Sequence, residues 1–207
     1  LIHSALKTGH AKVLVLGGSL SAGHDAGGKA NAWPALLEAE NCTGMASLVN
    51  KAKPSTGSNY ALANLQDLVE PLNWDIILLE YALNDDDVGE GSRYSTAGEV
   101  SVTFERLIRS IRTLLPSTAV VVIEAFRQSK GLHMGFLSGQ NYHDIVSKYY
   151  ELPVISIREA LWHEYFELKE KSQLWQAFPS GKSHPSREGQ RLIADVIARE
   201  MISFRTK

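Results

Sequence analysis

A serine near the start of the chain and a histidine near its end have the surroundings that nucleophilic catalysis needs. Ser19 lies in Gly17-Gly18-Ser19-Leu20-Ser21-Ala22-Gly23, where glycines allow a sharp turn that exposes both hydroxyl and amide to a substrate carbonyl. His184 stands in Ser183-His184-Pro185-Ser186, where a loop would present the imidazole as a base and Ser186 would cap the next helix. Each pattern alone also fits a structural role, as a turn or as a structural or exposed histidine.

Two further segments could supply hydrogen-bond donors to an oxyanion. Asn84 follows the third apolar run in Glu80-Tyr81-Ala82-Leu83-Asn84-Asp85, and Gly57 follows the second in Ser55-Thr56-Gly57-Ser58-Asn59-Tyr60. The side-chain amide of Asn84 and the backbone amides of Ser19 and Gly57 would make three donors. Without catalysis, Asn84 fits a turn and Gly57 a break before a helix.

The elements that must position these residues are visible as alternating apolar patterns. Five short apolar runs are typical of strands buried on both faces: 12–16, 46–49, 75–79, 119–123 and 153–157. Helical spacing of apolar residues lies between and after them, at 62–69, 100–115, 142–149 and 192–201. The third of these helices should carry Tyr142, Ile145, Val146 and Tyr149 on its apolar face. The alternation predicts an α/β fold, a three-layer α/β/α sandwich with a five-stranded, mostly parallel sheet. Such sheets bind ligands at the carboxyl ends of their strands, with loops such as 85–95 and 127–139 as rims.

Composition bounds the function. The chain has 21 Lys and Arg against 23 Asp and Glu, a formal net charge of -2, so no strong positive field favours nucleic acid as a partner. Its 207 residues predict one domain, 1–207, with about 1–11 as an N-terminal extension. No run approaches the ~18 apolar residues of a membrane span, so we expect a soluble domain. Because the chain starts at Leu1, we expect it to be part of a longer or processed protein. Neither compartment nor oligomeric state is indicated.

The chain contains, in the same order, the four residues for which the SGNH (GDSL-like) hydrolases are named: Ser19, Gly57, Asn84 and His184. It resembles that superfamily over 12–201. It looks most like the subgroup with Gly-Gly-Ser in the first block and Glu-Tyr/Phe-Ala-x-Asn-Asp in the third. The resemblance implies a flavodoxin-like fold and ester hydrolysis, with Ser19 as nucleophile and His184 as base. It implies no metal and no organic cofactor.

The sequence departs from the common family pattern at three positions. Gly18 replaces an Asp and Ala82 replaces a Gly, both of which fit the subgroup. The third position, three residues before the histidine, usually holds the triad acid and here is Gly181. Three explanations stay open, namely a histidine oriented by a backbone carbonyl, a carboxylate from elsewhere in the chain, and a site that has lost catalysis. The candidate groups are the carbonyls of Ser180 and Gly181 and the carboxylates of Asp85, Asp86 and Asp87.

The predicted function is therefore a serine esterase for short acyl or O-acetyl esters, including those on glycans. Trp175 and Phe178, which precede His184, could form an apolar or sugar-stacking wall, although large aromatics are more often core residues. Trp33 and Trp162 have a weaker claim to that wall. The alternatives are a weakened or inactive module that binds acylated glycans and an O-acyltransferase. A phosphate-binding loop is disfavoured because Gly17–Gly23 has neither a Gly-Lys-Ser/Thr ending nor Gly-x-Gly-x-x-Gly.

Overall fold

The structure is a computed structural model that describes residues 1–39, 44–86, 88–125, 138–161, 177–178 and 184–206. Its centre is a sheet of five strands, all parallel, in the order β2-β1-β3-β4-β5. The strands are β1 (Ala11–Gly17), β2 (Met45–Asn50), β3 (Ile76–Glu80), β4 (Ala119–Glu124) and β5 (Val154–Ser156). The predicted α/β fold is confirmed, with every strand parallel. The strand order reverses between β1 and β3, where the crevice of a flavodoxin-like sheet lies.

Helices cover both faces of this sheet. They are α1 (Ile2–Lys7), α2 (Trp33–Ala39), α3 (Ser58–Ala63), α4 (Leu65–Val69), α5 (Ala82–Asp85), α6 (Ala97–Leu114), α7 (Gly139–Tyr149) and α8 (Arg187–Thr206). A 3-10 turn spans Lys29–Asn31, and residues 157–161 are helical. The helix predicted over 62–69 is two short helices that meet at Asn64. No helix in the described ranges is long and apolar enough to cross a membrane.

The core forms two layers because strand side chains alternate between faces. Val13 and Val15 point to the layer that contains α1, α2 and α8, whereas Leu14 and Leu16 point to the layer of α3, α4, α6 and α7. Helix α1 lies within the predicted N-terminal extension, and its Leu6 is fully buried in the first layer.

The buried face of α7 differs from the predicted one. Val146 packs in the core as expected, but Ile145 and Tyr149 are 67% and 79% exposed. The positions that face inward are partly polar, and His143 is among them. Burial of these polar side chains is tolerated where they make hydrogen bonds inside the protein, as His143 does.

Candidate active site

Ser19 lies at the carboxyl end of β1, next to β3. The chain leaves the sheet at Gly17, which pairs with Glu80, and the amide of Gly18 still donates to the Glu80 carbonyl at 3.2 Å. A tight turn follows, in which the amide of His24 donates to the carbonyl of Ser19 at 3.0 Å. The serine is thus held on a turn at the point of the sheet where strand order reverses.

A cluster of buried polar side chains stabilises the turn that carries Ser19. Ser21 is fully buried, and its hydroxyl donates to Glu80 Oε2 at 2.9 Å and accepts from Trp33 Nε1 at 3.1 Å. Asn50 Nδ2 donates to the Ser21 carbonyl at 2.7 Å. Trp33 itself is fully buried, which confirms a core position for this tryptophan. Because buried polar groups are expensive to leave unpaired, the cluster fixes the turn that carries Ser19.

Gln190 ties helix α8 to the same turn. Its Nε2 donates to the Leu20 carbonyl at 3.1 Å, and its Oε1 accepts from the Trp33 amide at 2.9 Å. The side chain is fully buried. The helix that follows His184 is therefore fastened directly to the loop of Ser19, which brings the two ends of the chain together.

His184 faces Ser19. Its Nε2 lies 2.6 Å from Ser19 Oγ, and its side chain is 17% exposed. Ser186 caps α8 as predicted, since its hydroxyl accepts from the Gly189 amide at 3.3 Å. The amide of Ser186 donates to the Ala177 carbonyl at 2.8 Å, so the segment that carries the histidine is anchored just after it. A serine hydroxyl in this contact can pass its proton to the imidazole.

Asp25 lies on the other side of the imidazole. Its Oδ2 is 3.3 Å from His184 Nδ1. The residue has a φ of +63°, a left-handed conformation that aspartate tolerates better than most residues. Gly23 and Gly27, on either side, also have positive φ, so the loop after Ser19 curls back and returns a carboxylate to the histidine. Sequence reasoning missed Asp25.

Of the other groups predicted to orient His184, Asp85 is bound to different partners. Asp85 is fully buried and directed toward His143, so it is not available to His184. Asp86 is the C-cap of α5. Three candidates, Asp87, Ser180 and Gly181, fall outside the described residues.

The three predicted oxyanion donors gather near the turn of Ser19. Asn84 Nδ2 donates one proton to the Thr56 carbonyl at 2.6 Å, which leaves its second proton for another acceptor. Within the described part of the chain, the backbone amides of Ser19 and Gly57 make no hydrogen bond. A Cβ at Gly18 would collide with the amide nitrogen of Asn84. The glycine that replaces the family's usual Asp therefore makes room for Asn84.

Asp85 fixes the segment that holds Gly57. Its carboxylate accepts from the Ser58 amide at 3.0 Å and from the Tyr94 hydroxyl at 2.9 Å. A Cβ at Gly57 would collide with this same carboxylate, so close approach requires glycine at this position. Burial raises the pKa of Tyr94 well above its ordinary value, and nearby Asp85 adds to the shift.

His143 bridges Asp85 to the end of β4. Its Nε2 donates to Asp85 Oδ2 at 2.9 Å and its Nδ1 to Glu124 Oε1 at 3.1 Å, while its ring stacks on Phe104. Burial disfavours the imidazolium, but the two carboxylates outweigh burial and raise the pKa of His143 to about 10. The histidine is therefore a buried cation between two acids. We did not predict this cluster from the sequence.

Arg93 binds the backbone next to the predicted oxyanion donors Asn84 and Gly57. Its guanidinium donates to the Asn84 carbonyl and, at 3.2 Å, to the Ser55 carbonyl. It belongs to the predicted rim loop 85–95, but the structure shows it binding backbone carbonyls around the donors. The rest of the predicted rim at 127–137 lies outside the described residues.

The predicted aromatic wall is not supported at Phe178. This side chain is only 5% exposed and packs in the core layer with α8, because burying its ring removes a large apolar surface from water. We correct its assignment from substrate wall to core. Trp175 and Trp162 lie outside the described residues.

Comparison with known proteins identifies the family of the chain. The sequence model of the GDSL-like Lipase/Acylhydrolase family matches residues 15–192, which include Ser19, Gly57, Asn84 and His184. No curated protein sequence matches the chain.

Similar solved structures share the fold at low sequence identity. A two-domain esterase active on acetylated mannans, solved with mannopentaose, superposes with a TM-score of 0.79 at 19% identity. The alignment covers 100% of this chain but 53% of that one, so the chain spans about half of that esterase. An acetyl xylan esterase gives 0.72 at 14% identity, covering 91% and 98% of the two chains. The lipase/acylhydrolase from Enterococcus faecalis gives 0.71 at 18%, covering 93% and 96%.

Proposed function

Because this chain belongs to the GDSL-like Lipase/Acylhydrolase family, we propose that it is a serine esterase with Ser19 as nucleophile and His184 as base. The observation that carries the proposal is the 2.6 Å contact between Ser19 Oγ and His184 Nε2. A neutral imidazole with its proton on Nδ1 accepts the serine proton at Nε2, and this makes the hydroxyl nucleophilic.

In the first step, Ser19 Oγ attacks the ester carbonyl carbon and its proton passes to His184 Nε2. The carbonyl oxygen becomes an oxyanion. The amides of Ser19 and Gly57 and the free proton of Asn84 Nδ2 donate to it, which stabilises the negative charge where it develops. The unpaired state of both backbone amides among the described residues supports this role.

Collapse of the tetrahedral intermediate breaks the bond to the leaving alcohol, which takes the proton from His184. An acyl group remains on Ser19. Water then attacks the acyl carbon while His184 again accepts a proton, and a second collapse releases the acid and returns the proton to Ser19 Oγ.

Asp25 supplies the orienting group that the sequence lacks at Gly181. Its carboxylate accepts from His184 Nδ1, which keeps the other nitrogen free to act as base and stabilises the imidazolium that forms. Asp25 is a positioning residue in this account, because it touches the histidine and not the substrate. Its side chain is 44% exposed, so solvent weakens the effect compared with a buried aspartate.

We propose short acyl or O-acetyl esters, including acetyl groups on glycans, as substrates. The fold neighbours that act on acetylated mannan and on acetyl xylan support this choice at the level of resemblance. A module without turnover and an O-acyltransferase are less favoured. The intact contact between nucleophile and base supports turnover, and water is an available acceptor for the acyl group.

The proposal is tested by measuring acetate released from acetylated mannan and acetylated xylan by wild type and by Ser19→Ala. We expect release by wild type and none by the variant. If neither protein releases acetate yet both bind the glycans, the binding module is favoured. If acetate appears on an added sugar hydroxyl faster than in water, the protein is a transferase.

A further inference from the structure

The side chains of Asp25 and His184 form a cluster with a third metal-ligating residue, His24. Within the described residues, His24, Asp25 and His184 each offer a ligand atom within 4.8 Å of the other two. His24 Nε2 lies 3.7 Å from Asp25 Oδ1, and His184 Nδ1 lies 3.3 Å from Asp25 Oδ2. The proposed proton transfer uses Asp25 and His184 but gives His24 no part.

The spacing suits a small transition-metal ion. Tetrahedral Zn²⁺ with nitrogen and oxygen ligands at about 2.0–2.1 Å keeps ligand atoms about 3.3 Å apart. The contact of His184 Nδ1 with Asp25 Oδ2 already has that value, whereas His24 Nε2 lies 3.7 Å from the other carboxylate oxygen. To bring all three ligand atoms to this spacing, mainly the His24 side chain has to move. It has room to turn because it is 57% exposed. Its ring already meets that of His184 edge to face, at 4.7 Å between centroids.

The donor set also selects the class of ion. Two imidazoles and one carboxylate suit Zn²⁺ and its neighbours Ni²⁺ and Cu²⁺, whereas Mg²⁺ and Ca²⁺ prefer oxygen ligands. With three protein ligands, the fourth position of zinc is left for water. The loop supports the arrangement, because the left-handed conformation of Asp25 and the preceding Gly23 turn two adjacent side chains toward His184.

We propose that His24, Asp25 and His184 Nδ1 form a zinc-binding site that reversibly switches off the esterase. The effect on catalysis, though not the binding, rests on the proposed function. Coordination needs the lone pair of His184 Nδ1, so the single proton of the neutral ring moves to Nε2. That nitrogen can then no longer accept the proton of Ser19. Zinc also occupies Asp25, which orients the base in the metal-free protein.

The test combines zinc binding with turnover in a buffer that does not chelate metals. Zinc chloride is titrated into wild type, His24→Ala and His10→Ala by calorimetry, and p-nitrophenyl acetate hydrolysis is followed at each zinc concentration. His10 is exposed and outside the cluster, so its variant is the matched control for loss of a surface histidine. All three proteins are first treated with EDTA and dialysed.

We expect one zinc per wild-type chain and hydrolysis that falls as the site fills and returns with EDTA. His24→Ala should keep the basal rate and lose at least about tenfold in zinc affinity, since even weakened support of a ligand costs 10- to 100-fold. His10→Ala should behave as wild type. Equal zinc affinity in all three proteins, or inhibition that survives His24→Ala, would overturn the site. Zinc binding through His24 in a protein without hydrolysis would uphold the site and refute the esterase.

Discussion

The carboxylate of Asp25 lies 3.3 Å from Nδ1 of His184, although 159 positions separate the two residues in the chain. Asp25 follows the proposed nucleophile by six residues, whereas the SGNH family resemblance places the acid three residues before the histidine. In our proposal, the orienting carboxylate comes from the loop of the nucleophile and not from the loop of the base. Both loops sit at the carboxyl end of the sheet, so the histidine can be approached from either.

Asp25→Asn should lower kcat for p-nitrophenyl acetate by about 10- to 1,000-fold and leave KM nearly unchanged. The expected loss is smaller than the ~10⁴-fold cost at a buried triad aspartate because Asp25 is 44% exposed. Asparagine tolerates the left-handed backbone of this position, so folding should survive. Steady-state kinetics measure the change.

Asp195→Asn is the matched control, since Asp195 is exposed on α8. It should retain wild-type kcat. An Asp25→Asn enzyme with full activity would show that another group orients His184 and would remove Asp25 from the mechanism.

Gly18→Ala should separate catalysis from stability. The new methyl group meets the amide nitrogen of Asn84, a side-chain end that can swing away at little cost to folding. Once displaced, Asn84 no longer donates to the oxyanion, and kcat should fall about 100-fold, near the lower end for losing one such donor. Thermal melts and kinetics on the same preparations report both quantities.

Gly98→Ala provides the comparison for adding a methyl group elsewhere. Gly98 lies in α6, where a Cβ makes only ordinary contact, so alanine should leave kcat unchanged and raise helix stability slightly. If Gly18→Ala folds and keeps full kcat, then Asn84 does not act as a donor from its observed position.

The strands could be predicted from the sequence because parallel strands buried on both faces consist of short runs of apolar residues. All five were placed within two residues of their observed ends, as at 12–16 against Ala11–Gly17. The sequence also singled out Ser19 and His184, which the structure brings into contact, since each follows or precedes a recognisable element. Asp25 was not, because a left-handed residue that folds a loop back on itself leaves no periodic signal. Its available sign was a single aspartate among Gly23, Gly27 and Gly28.

The buried cluster of Asp85, Glu124 and His143 could not be predicted from the sequence for a different reason. Asp85, Glu124 and His143 come from α5, β4 and α7, and their meeting depends on how α7 rotates against the sheet. The apolar spacing in α7 predicted that Ile145 and Tyr149 face inward, whereas both are exposed. Hydrogen bonds to His143 decided the rotation over apolar periodicity.

His143→Gln should lower the free energy of unfolding by about 3–5 kcal/mol near pH 6.5, the usual cost of breaking a buried ion pair. Glutamine is neutral, so it leaves the buried carboxylates of Asp85 and Glu124 without their cation. The pKa of His143 is about 10 in the folded protein, compared with about 6.5 for an ordinary histidine. Because the folded state holds the proton more tightly, this contribution is complete below pH 6.5 and is lost as pH rises through 10.

Urea unfolding of wild type and His143→Gln from pH 6 to pH 10.5 measures this difference. The two curves should converge with rising pH, and His10→Gln should follow wild type throughout. A difference that is constant over this range would mean that His143 is not the titrating group.

Glu80→Gln should flatten the dependence of stability on pH between about 4.5 and 8. Burial raises the pKa of Glu80 from 4.5 to about 8, although the hydrogen bond from Ser21 opposes the shift. The folded protein then binds more protons than the unfolded chain in this range, so wild type loses stability as pH rises. Glutamine mimics the protonated acid and should be the more stable form at pH 8. Denaturant midpoints of wild type and Glu80→Gln at pH 5 and pH 8 measure this difference. If the stability of the variant changes with pH as much as that of wild type, Glu80 is not protonated in the folded protein.

We propose that Ser19 and His184 carry out ester hydrolysis. This proposal is tested most directly by p-nitrophenyl acetate hydrolysis by wild type, Ser19→Ala and His184→Ala, with folding of all three checked by circular dichroism. We predict measurable turnover by wild type and a fall to near the background rate in both variants, by at least about 10³-fold. Equal rates in the three folded proteins would contradict the claim.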